Sequence, residues 1–290
     1  MKRIVKLILL YTLSTVPFLS WGQVSVMGVS QKFQYMASEL PKYEVVDSTL
    51  LVVHYRYFYP TDNFKDGFVR VEDDIAVQIS PTKSKTYSHN LHLMDRNISY
   101  GEKNNVRFRL DYNDFEYFYD SEEGCYEVGR RIPYSRILYG NTQVVEYKAK
   151  AEPIEWAIDP QIDTLLGYKC MSAVGRVAGR EWRVWFTFEI PVRANLWLFG
   201  NLPGLVLRAE STDGNFLFDC YSLRQVVEPI CHYRWLPTKT SREKWLATER
   251  EMYANPADYF SQGNTISAMS INGEPLEEKW TVRYAPLELE

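Results

Sequence analysis

The amino-acid sequence predicts a mainly β protein whose core is an antiparallel sheet, accompanied by one or two short helices. Three observations predict this fold class. Apolar and polar residues alternate with a period of two in several stretches, as in strands with one buried face. The 21 tyrosines and 14 phenylalanines suit a pleated surface. Most of these stretches are not separated by a helical crossover, which favours antiparallel neighbours.

The first 22 residues predict a secretory signal peptide. Three basic residues precede a largely apolar run over residues 7–19, and the small residues Ser20 and Gly22 stand at −3 and −1 before Gln23. We therefore expect an exported protein, periplasmic or secreted, whose mature part is one domain over residues 23–290. No later stretch contains 18 consecutive apolar residues, so no transmembrane segment is expected after cleavage.

The negative net charge of the chain argues against two classes of partner. The net charge is −4, and removal of three cations with the signal peptide leaves −7. A nucleic-acid-binding surface is basic, and so is a segment that binds anionic lipid. The sequence therefore predicts neither a nucleic-acid partner nor an electrostatic hold on a membrane.

The predicted strands are recognised by their alternation, and each puts its apolar residues on one face. Trp156 is one of the inward residues of the third stretch, and Trp182 of the fourth. The alternating stretches, in chain order, are residues 53–59, 105–112, 153–158, 180–191 and 214–223.

Two segments have helical spacing. Residues 25–39 carry apolar residues three and four positions apart, although a first strand could also lie here. Residues 241–254 form the second segment, and Thr240 and Glu243 have the spacing of a capping box at its start. Proline at position 256 disfavours helical geometry in the residue before it, so this helix is expected to end there.

Four cysteines permit two disulfides in an exported protein, with three possible connectivities. Buried free thiols are the alternative, and the sequence does not choose between them. The cysteines are Cys125, Cys170, Cys220 and Cys231.

The spacing of the histidines does not predict a metal site. His89 and His92 form the one close pair, but the surrounding residues resemble a strand or turn, in which positions i and i+3 face opposite ways. Cys231 and His232 are adjacent and also face two ways. We therefore predict no metal site and no cofactor.

No nucleophile motif of the GxSxG kind occurs in the chain. The absence weakens an enzymatic interpretation without excluding it, because a catalytic triad is defined by geometry. The glycine-rich stretch GRVAGR, residues 175–180, lacks the lysine of a phosphate loop. It is interpreted as a hairpin turn in which Gly175 and Gly179 adopt positive φ.

Residues 166–223 resemble the GLPGLI family of exported proteins in three blocks. Further similarity occurs at residues 75–95, with Lys85, Tyr87, Ser88 and Asp95, and in the ending YAPLELE, residues 284–290. The matching residues of the three blocks are Gly167, Tyr168 and Cys170; Gly179, Arg180, Trp185, Thr187, Glu189, Ile190 and Pro191; and Phe199, Leu202, Pro203, Gly204, Leu205 and Leu207.

The family motif is predicted to be a structural turn rather than a reactive site. Asn201 replaces the first glycine of the motif, and asparagine tolerates positive φ better than other non-glycine residues. Pro203 and Gly204 fit positions i+1 and i+2 of a type II turn. The segment is therefore interpreted as a sharp entry into a buried strand. Its residues are Asn201, Leu202, Pro203, Gly204, Leu205 and Val206.

The resemblance implies a fold but no established activity. The order of strands in the family is similar to that of LolA-like envelope carriers, which implies a strongly curved antiparallel half-barrel; this is an analogy at the level of the fold. We expect a non-catalytic envelope protein that binds an apolar small molecule or an extended partner polypeptide on the curved sheet. The aromatic residues proposed to face the ligand are Trp156, Trp182, Trp185 and Trp197.

Two alternatives stay open at the level of sequence. A hydrolase-type enzyme would need a histidine beside a carboxylate or hydroxyl in a cleft; the candidates are His54, His89, His92 and His232. A structural interaction protein would instead add a partner strand to a long edge strand without lysine or proline.

Overall fold

A large open β-sheet dominates the computed structural model, which describes residues 38–63, 67–99, 114–132, 142–254 and 285–289. The chain divides into two units, Met1–Ser30 and Gln31–Glu290, and all described residues belong to the second. The predicted signal peptide and the strand predicted over residues 105–112 lie outside the described residues. So does the helix predicted over residues 25–39, except for its last two positions, which have no regular structure.

The described residues form fourteen strands and two helices. The helices are α1 (His89–Ser99) and α2 (Arg242–Ala254). The strands are β1 (Tyr43–Ser48), β2 (Leu51–Asn63), β3 (Gly67–Ile79), β4 (Lys83–Ser88), β5 (Phe115–Asp120), β6 (Cys125–Arg131), β7 (Val144–Lys150), β8 (Ala157–Leu165), β9 (Tyr168–Val177), β10 (Arg180–Thr187), β11 (Leu205–Ser211), β12 (Leu217–Arg224), β13 (Pro229–Tyr233) and β14 (Thr238–Lys239).

Twelve of these strands form one sheet in the order β14-β7-β6-β5-β4-β3-β2-β12-β11-β10-β9-β8, and β1 pairs with β13 separately. Every pair among them is antiparallel except β14 with β7. The predicted mainly β, antiparallel class is therefore confirmed, with one short parallel pair added at the end of the large sheet.

The sheet is strongly curved around residues 194–202. The ring of Trp197 lies 6.3 Å from that of Tyr117 on β5 and 5.5 Å from that of Trp182 on β10. These strands are six positions apart in the sheet, which would separate them by roughly 29 Å if the sheet were flat. One side chain contacts both because the sheet bends around it, as the half-barrel prediction requires.

The alternation seen in the sequence matches the inner face of this curved sheet. On β2, Tyr55 and Tyr57 are fully buried, whereas Arg56 between them is exposed. The ring of Tyr57 stacks on Phe218 of β12 at 4.2 Å. Burying one such aromatic side chain stabilises the fold by about 2–3 kcal/mol, so the inner face is the main source of stability.

Two details of the predicted strands are corrected. Residues 151–156 have no regular structure, and β8 begins at Ala157. In the β9–β10 turn, Ala178 and Gly179 have φ of 47° and 79°, which suits a type I′ hairpin. Gly175 does not adopt positive φ; a Cβ there would lie 2.6 Å from Cε3 of Trp156, so its glycine is required by packing.

The helix predicted at residues 241–254 is present, with a different cap. Ser241 accepts a hydrogen bond from the Lys244 amide through its Oγ at 3.2 Å, so Ser241 is the N-cap. The Thr240 amide instead donates to the carbonyl of Glu146 on β7. The predicted capping box of Thr240 and Glu243 is therefore wrong by one residue.

Helix α1 was not predicted, and it overturns the interpretation of His89 and His92 as strand or turn residues. The Oγ of Ser88 accepts from the Leu91 amide at 3.1 Å and caps the helix. The two histidines are thus one turn apart on a helix.

All four cysteines are free thiols, so the disulfides that the sequence permitted are not formed. Cys125, Cys170 and Cys220 are buried and Cys231 is half-buried. The three buried thiols are part of the hydrophobic core.

None of the helices in the described part of the chain is long and apolar enough to cross a membrane.

Candidate functional site

The corner at residues 200–204 is fixed by side chains from three directions. Asn201 has a φ of 60°, and its Oδ1 accepts from the amide of Ile154 at 3.2 Å. Trp156 donates through Nε1 to the carbonyl of Gly200 at 2.9 Å. Asn195 donates through Nδ2 to the carbonyl of Gly204 at 2.9 Å. The corner is thereby held against the irregular segment 151–156.

Gly204 is required for close approach, not for an unusual backbone angle. Its φ is not positive, so the predicted type II turn is wrong. A Cβ at this position would lie 1.9 Å from the carbonyl oxygen of Thr187. The β10 backbone therefore passes so near that a methyl group does not fit.

Beyond the corner, β11 enters the centre of the sheet. Leu205 and Val206 are fully buried, Leu202 is 8% exposed, and Pro203 is exposed. The hydroxyl of Tyr55 donates to the carbonyl of Val206 at 2.6 Å. These contacts tie the strand after the corner to β2.

The four tryptophans proposed to face a ligand are divided among different environments. Trp182 is buried in the solid core. Trp185 is half-buried, and the guanidinium of Arg208 lies 5.2 Å from its ring. Trp156 is half-buried against the corner. Trp197 is also buried, with a φ of 48°, and among the four it is the one that lines the large cavity next to the corner.

That cavity, here called the corner cleft, has a volume of about 640 Å³. It lies between the corner, the segment 149–155, the β9–β10 turn and the start of α2. Its aromatic wall consists of Tyr119, Tyr126, Trp197 and Phe199. Its charged residues are Lys150, Arg176 and Arg242 and, of opposite sign, Glu152, Glu155 and Glu243.

The segment 285–289 crosses the inner face beside this cleft. Glu288 is 3% exposed, accepts from the hydroxyls of Tyr117 and Tyr147, and pairs with Arg242 at 2.8 Å. The Leu289 amide donates to the carbonyl of Ala178 at 2.9 Å. The segment thus joins β5 and β7 to the β9–β10 turn, and a single buried carboxylate makes most of the polar contacts.

Arg180 connects the same segment to the β11–β12 turn. It donates to the carbonyl of Pro286 at 2.8 Å and pairs with Asp213. Burial raises the pKa of Asp213, but hydrogen bonds from Ser211 and Asn215 and the charge of Arg180 outweigh it, so this pKa is below its ordinary value.

The low pKa of Asp213 predicts acid sensitivity in this region. Its contribution to stability is complete above the unfolded-state pKa near 3.9 and is lost as the pH falls through the lower folded-state value. We expect Asp213→Asn to lower the free energy of unfolding at pH 7 and to reduce the loss between pH 7 and pH 3. Urea unfolding of both proteins at several pH values measures this; parallel pH profiles would contradict it.

The histidines come together with carboxylates at two places on the outer side of the sheet. His54 on β2 contacts Asp74 on β3, Nδ1 to Oδ1, at 3.1 Å, and its ring centroid is 4.8 Å from that of His89. His232 on β13 lies 3.2 Å from Glu127. Both are histidine–carboxylate contacts of the kind that the hydrolase alternative requires.

His92 belongs to neither group, because its ring packs on Tyr87 and Tyr233. Burial lowers the pKa of His89, so this imidazole is neutral at pH 7.

The contact of His54 with Asp74 was missed from the sequence. Its signal was a polar residue alternating with tyrosines on β2, opposite a pair of acids on β3.

The exposed edge of the sheet does not suit strand addition. Among the described strands, β8 pairs only with β9; it contains Pro160 and has a register shift between Asp159 and Ile162. Proline and bulges protect an edge from a further strand. The strand at the other end, β14, has two residues. Both edges weigh against the edge-strand alternative.

Comparisons with known proteins give no assignment. No family model matches the chain, and no curated protein matches it. Two solved structures of PNGF-II, in space groups P21 and C2, are similar at TM-scores of 0.45 and 0.44, with 13% and 14% identity, over 70% and 68% of this chain. The matched part spans about a third of PNGF-II, 33% and 32%. The resemblance to the GLPGLI family stays a prediction.

Proposed function

We propose that the protein is an exported, non-catalytic envelope protein that binds a segment of a partner polypeptide in the corner cleft. The observation that carries the proposal is the cleft itself. Its volume of about 640 Å³ is within the range of ligand sites, roughly 300–1,000 Å³. The predicted signal peptide and the absence of a nucleophile motif are consistent with this role.

The lining favours a peptide over an apolar small molecule. Pockets for apolar ligands are lined mainly by hydrophobic side chains, whereas charged groups of both signs line this cleft beside its aromatic wall. A lipid would remove water from these charges without replacing its hydrogen bonds, which is costly. A polypeptide brings amides and charged side chains that can replace them, and an apolar side chain that can pack on Tyr119, the half-buried member of the aromatic wall.

The cleft also favours binding over acid–base chemistry. None of the four histidines is among the described residues that line it. Arg242, one of its cations, is paired with Glu288. This pairing supports a role for the charged wall in recognition, since the Arg242 guanidinium is held in place before any ligand enters.

The proposal is tested by selecting peptides from a random displayed library on the purified full chain and measuring binding by fluorescence anisotropy. Ala151→Trp places an indole into the cleft, and we expect at least a tenfold loss of affinity. Ala157→Trp, on the exposed start of β8, is the matched control and should bind normally. Arg176→Glu, at an exposed position, should change affinity several-fold for charged peptides if Ala151→Trp does not fold.

Two results would overturn the proposal. Unchanged peptide binding in both cleft variants would place the binding elsewhere. A lipid seen by native mass spectrometry on protein purified from its own envelope, and excluded by Ala151→Trp, would show that the cleft serves an apolar ligand.

A further inference from the structure

A second group of ligand-type side chains lies on the outer side of the sheet, away from the corner cleft. One imidazole nitrogen from His54, one from His89 and one oxygen of Asp74 all lie within 4.8 Å of one another. The residues come from β2, β3 and the first turn of α1. Two strands of one hairpin and the helix that follows β4 thus direct two imidazoles and a carboxylate to one point.

The backbone around this point is arranged to bring the three residues together. His54 pairs with Ala76 and Arg56 with Asp74, so His54 and Asp74 are diagonal neighbours on one face of the β2–β3 hairpin. Asn90 donates through Nδ2 to Asp73 at 2.9 Å, which fixes the first turn of α1 on β3. The hydrogen bond of Asn90 therefore positions the adjacent His89, in the way that supporting hydrogen bonds orient metal ligands.

His89 also presents a polar atom that the fold leaves unsatisfied. Its Nδ1 is buried and has no hydrogen-bond partner among the described residues. An unsatisfied buried polar atom is costly and calls for an explanation such as a bound ion. The other two members are well enclosed, because the side chains of His54 and Asp74 are 10% and 22% exposed.

Strand β12 adds a bulge at the same place. Cys220 pairs with Tyr55 and Ser222 with His54, so Tyr221 is the extra residue between them. Its ring centroid lies 6.0 Å from that of His54, and it is 41% exposed. Bulges often redirect a side chain beside a functional site, and here the bulge sets a phenol at the solvent side of the group.

From this geometry we propose that His54, His89 and Asp74 form a binding site for a divalent transition metal of the zinc class. Two imidazoles and one carboxylate are ligands of that class, whereas calcium and magnesium prefer oxygen ligands alone. Atoms around a tetrahedral zinc ion at about 2.1 Å lie roughly 3.4 Å apart. The three ligand atoms, which lie within 4.8 Å of one another, therefore need to close by at most about 1.4 Å. Three protein ligands leave the fourth position of the tetrahedron open on the Tyr221 side.

The test is titration of the full chain, first stripped with a chelator, with Zn²⁺ against a chromophoric competitor. We expect one equivalent bound with micromolar or tighter affinity, and a rise in the thermal midpoint on addition of Zn²⁺. Co²⁺ in place of Zn²⁺ should give the visible absorption of a four-coordinate site. His89→Gln and Asp74→Asn should each weaken Zn²⁺ binding at least tenfold and abolish the thermal shift.

Two matched controls separate this site from other histidines. His92→Gln alters the same helix one turn away, and His232→Gln removes the histidine of the group formed with Glu127 and Glu146; both should bind Zn²⁺ normally. The proposal is overturned if the unaltered protein binds Zn²⁺ no more tightly than about 1 mM. It is also overturned if His89→Gln and Asp74→Asn bind normally, or if His232→Gln is the variant that loses the ion.

Discussion

Replacing Glu288 by alanine is expected to lower the free energy of unfolding by about 3–5 kcal/mol, the usual cost of removing one partner of a buried ion pair. The carboxylate is buried among Tyr117, Tyr147 and Arg242. Its loss removes the acceptor that two tyrosine hydroxyls and a guanidinium share in a poorly hydrated place, and losing a buried acceptor is costly. Equilibrium urea unfolding at pH 7 measures the change.

Two further variants identify the origin of this loss. Glu288→Gln keeps an oxygen acceptor for the tyrosines while removing the charge, so we expect a smaller loss than for alanine. Glu123→Ala removes an exposed carboxylate from its pair with Lys148, and surface pairs of this kind contribute little. If Glu288→Ala were as mild as Glu123→Ala, segment 285–289 would not be docked on the inner face as described.

The sequence predicts β2, β10 and β12 well, because the alternating stretches at residues 53–59, 180–191 and 214–223 each carry their own signal. Tyr55, Tyr57 and Phe218 face inward by the period of two alone, and that period does not depend on the partner strand. Curvature was available only through the resemblance to half-barrel carriers. In the structure it shows as the contact of Trp197 with both Tyr117 and Trp182, and Tyr117 is far from the other two in the chain.

Helix α1 shows why local patterns failed elsewhere. Its buried positions are Leu91, Asp95 and Ile98, so a charged residue interrupts the apolar stripe by which helices are recognised. Asp95 is stable there because Arg131 of β6 pairs with it. A partner 36 residues away is not visible in a local window, and the histidines of α1 were misplaced for the same reason.

The candidate sites depend still more on distant contacts. The corner was recognised as a sharp turn, but the corner cleft needs the segment 149–155 and the start of α2 beside it. The contact of His54 with Asp74 follows from the register of the β2–β3 hairpin, which the alternation of β2 alone does not give. Sequence reasoning thus found residues that shape the sites, and the folded sheet determines what they meet.

Gly204→Ala is expected to be the most damaging single methyl addition in the described part of the chain, with a loss of about 3 kcal/mol, the upper part of the range for overpacking. The new Cβ would lie 1.9 Å from the carbonyl oxygen and 2.7 Å from the carbonyl carbon of Thr187. Both are backbone atoms of β10, so no side-chain rotation relieves the contact. The β10–β11 pairing of Thr187 with Leu205 must shift instead.

Two other glycines separate this steric effect from the general cost of replacing glycine. Gly129→Ala on β6 would meet only Val144 Cγ1, at 3.9 Å, and should be within about 0.5 kcal/mol of the unaltered protein. Gly214→Ala has open space but a φ of 73°, so it should lose about 1 kcal/mol through backbone strain alone. A loss for Gly204→Ala no greater than that for Gly214→Ala, measured by urea unfolding, would mean that β10 does not pass this close.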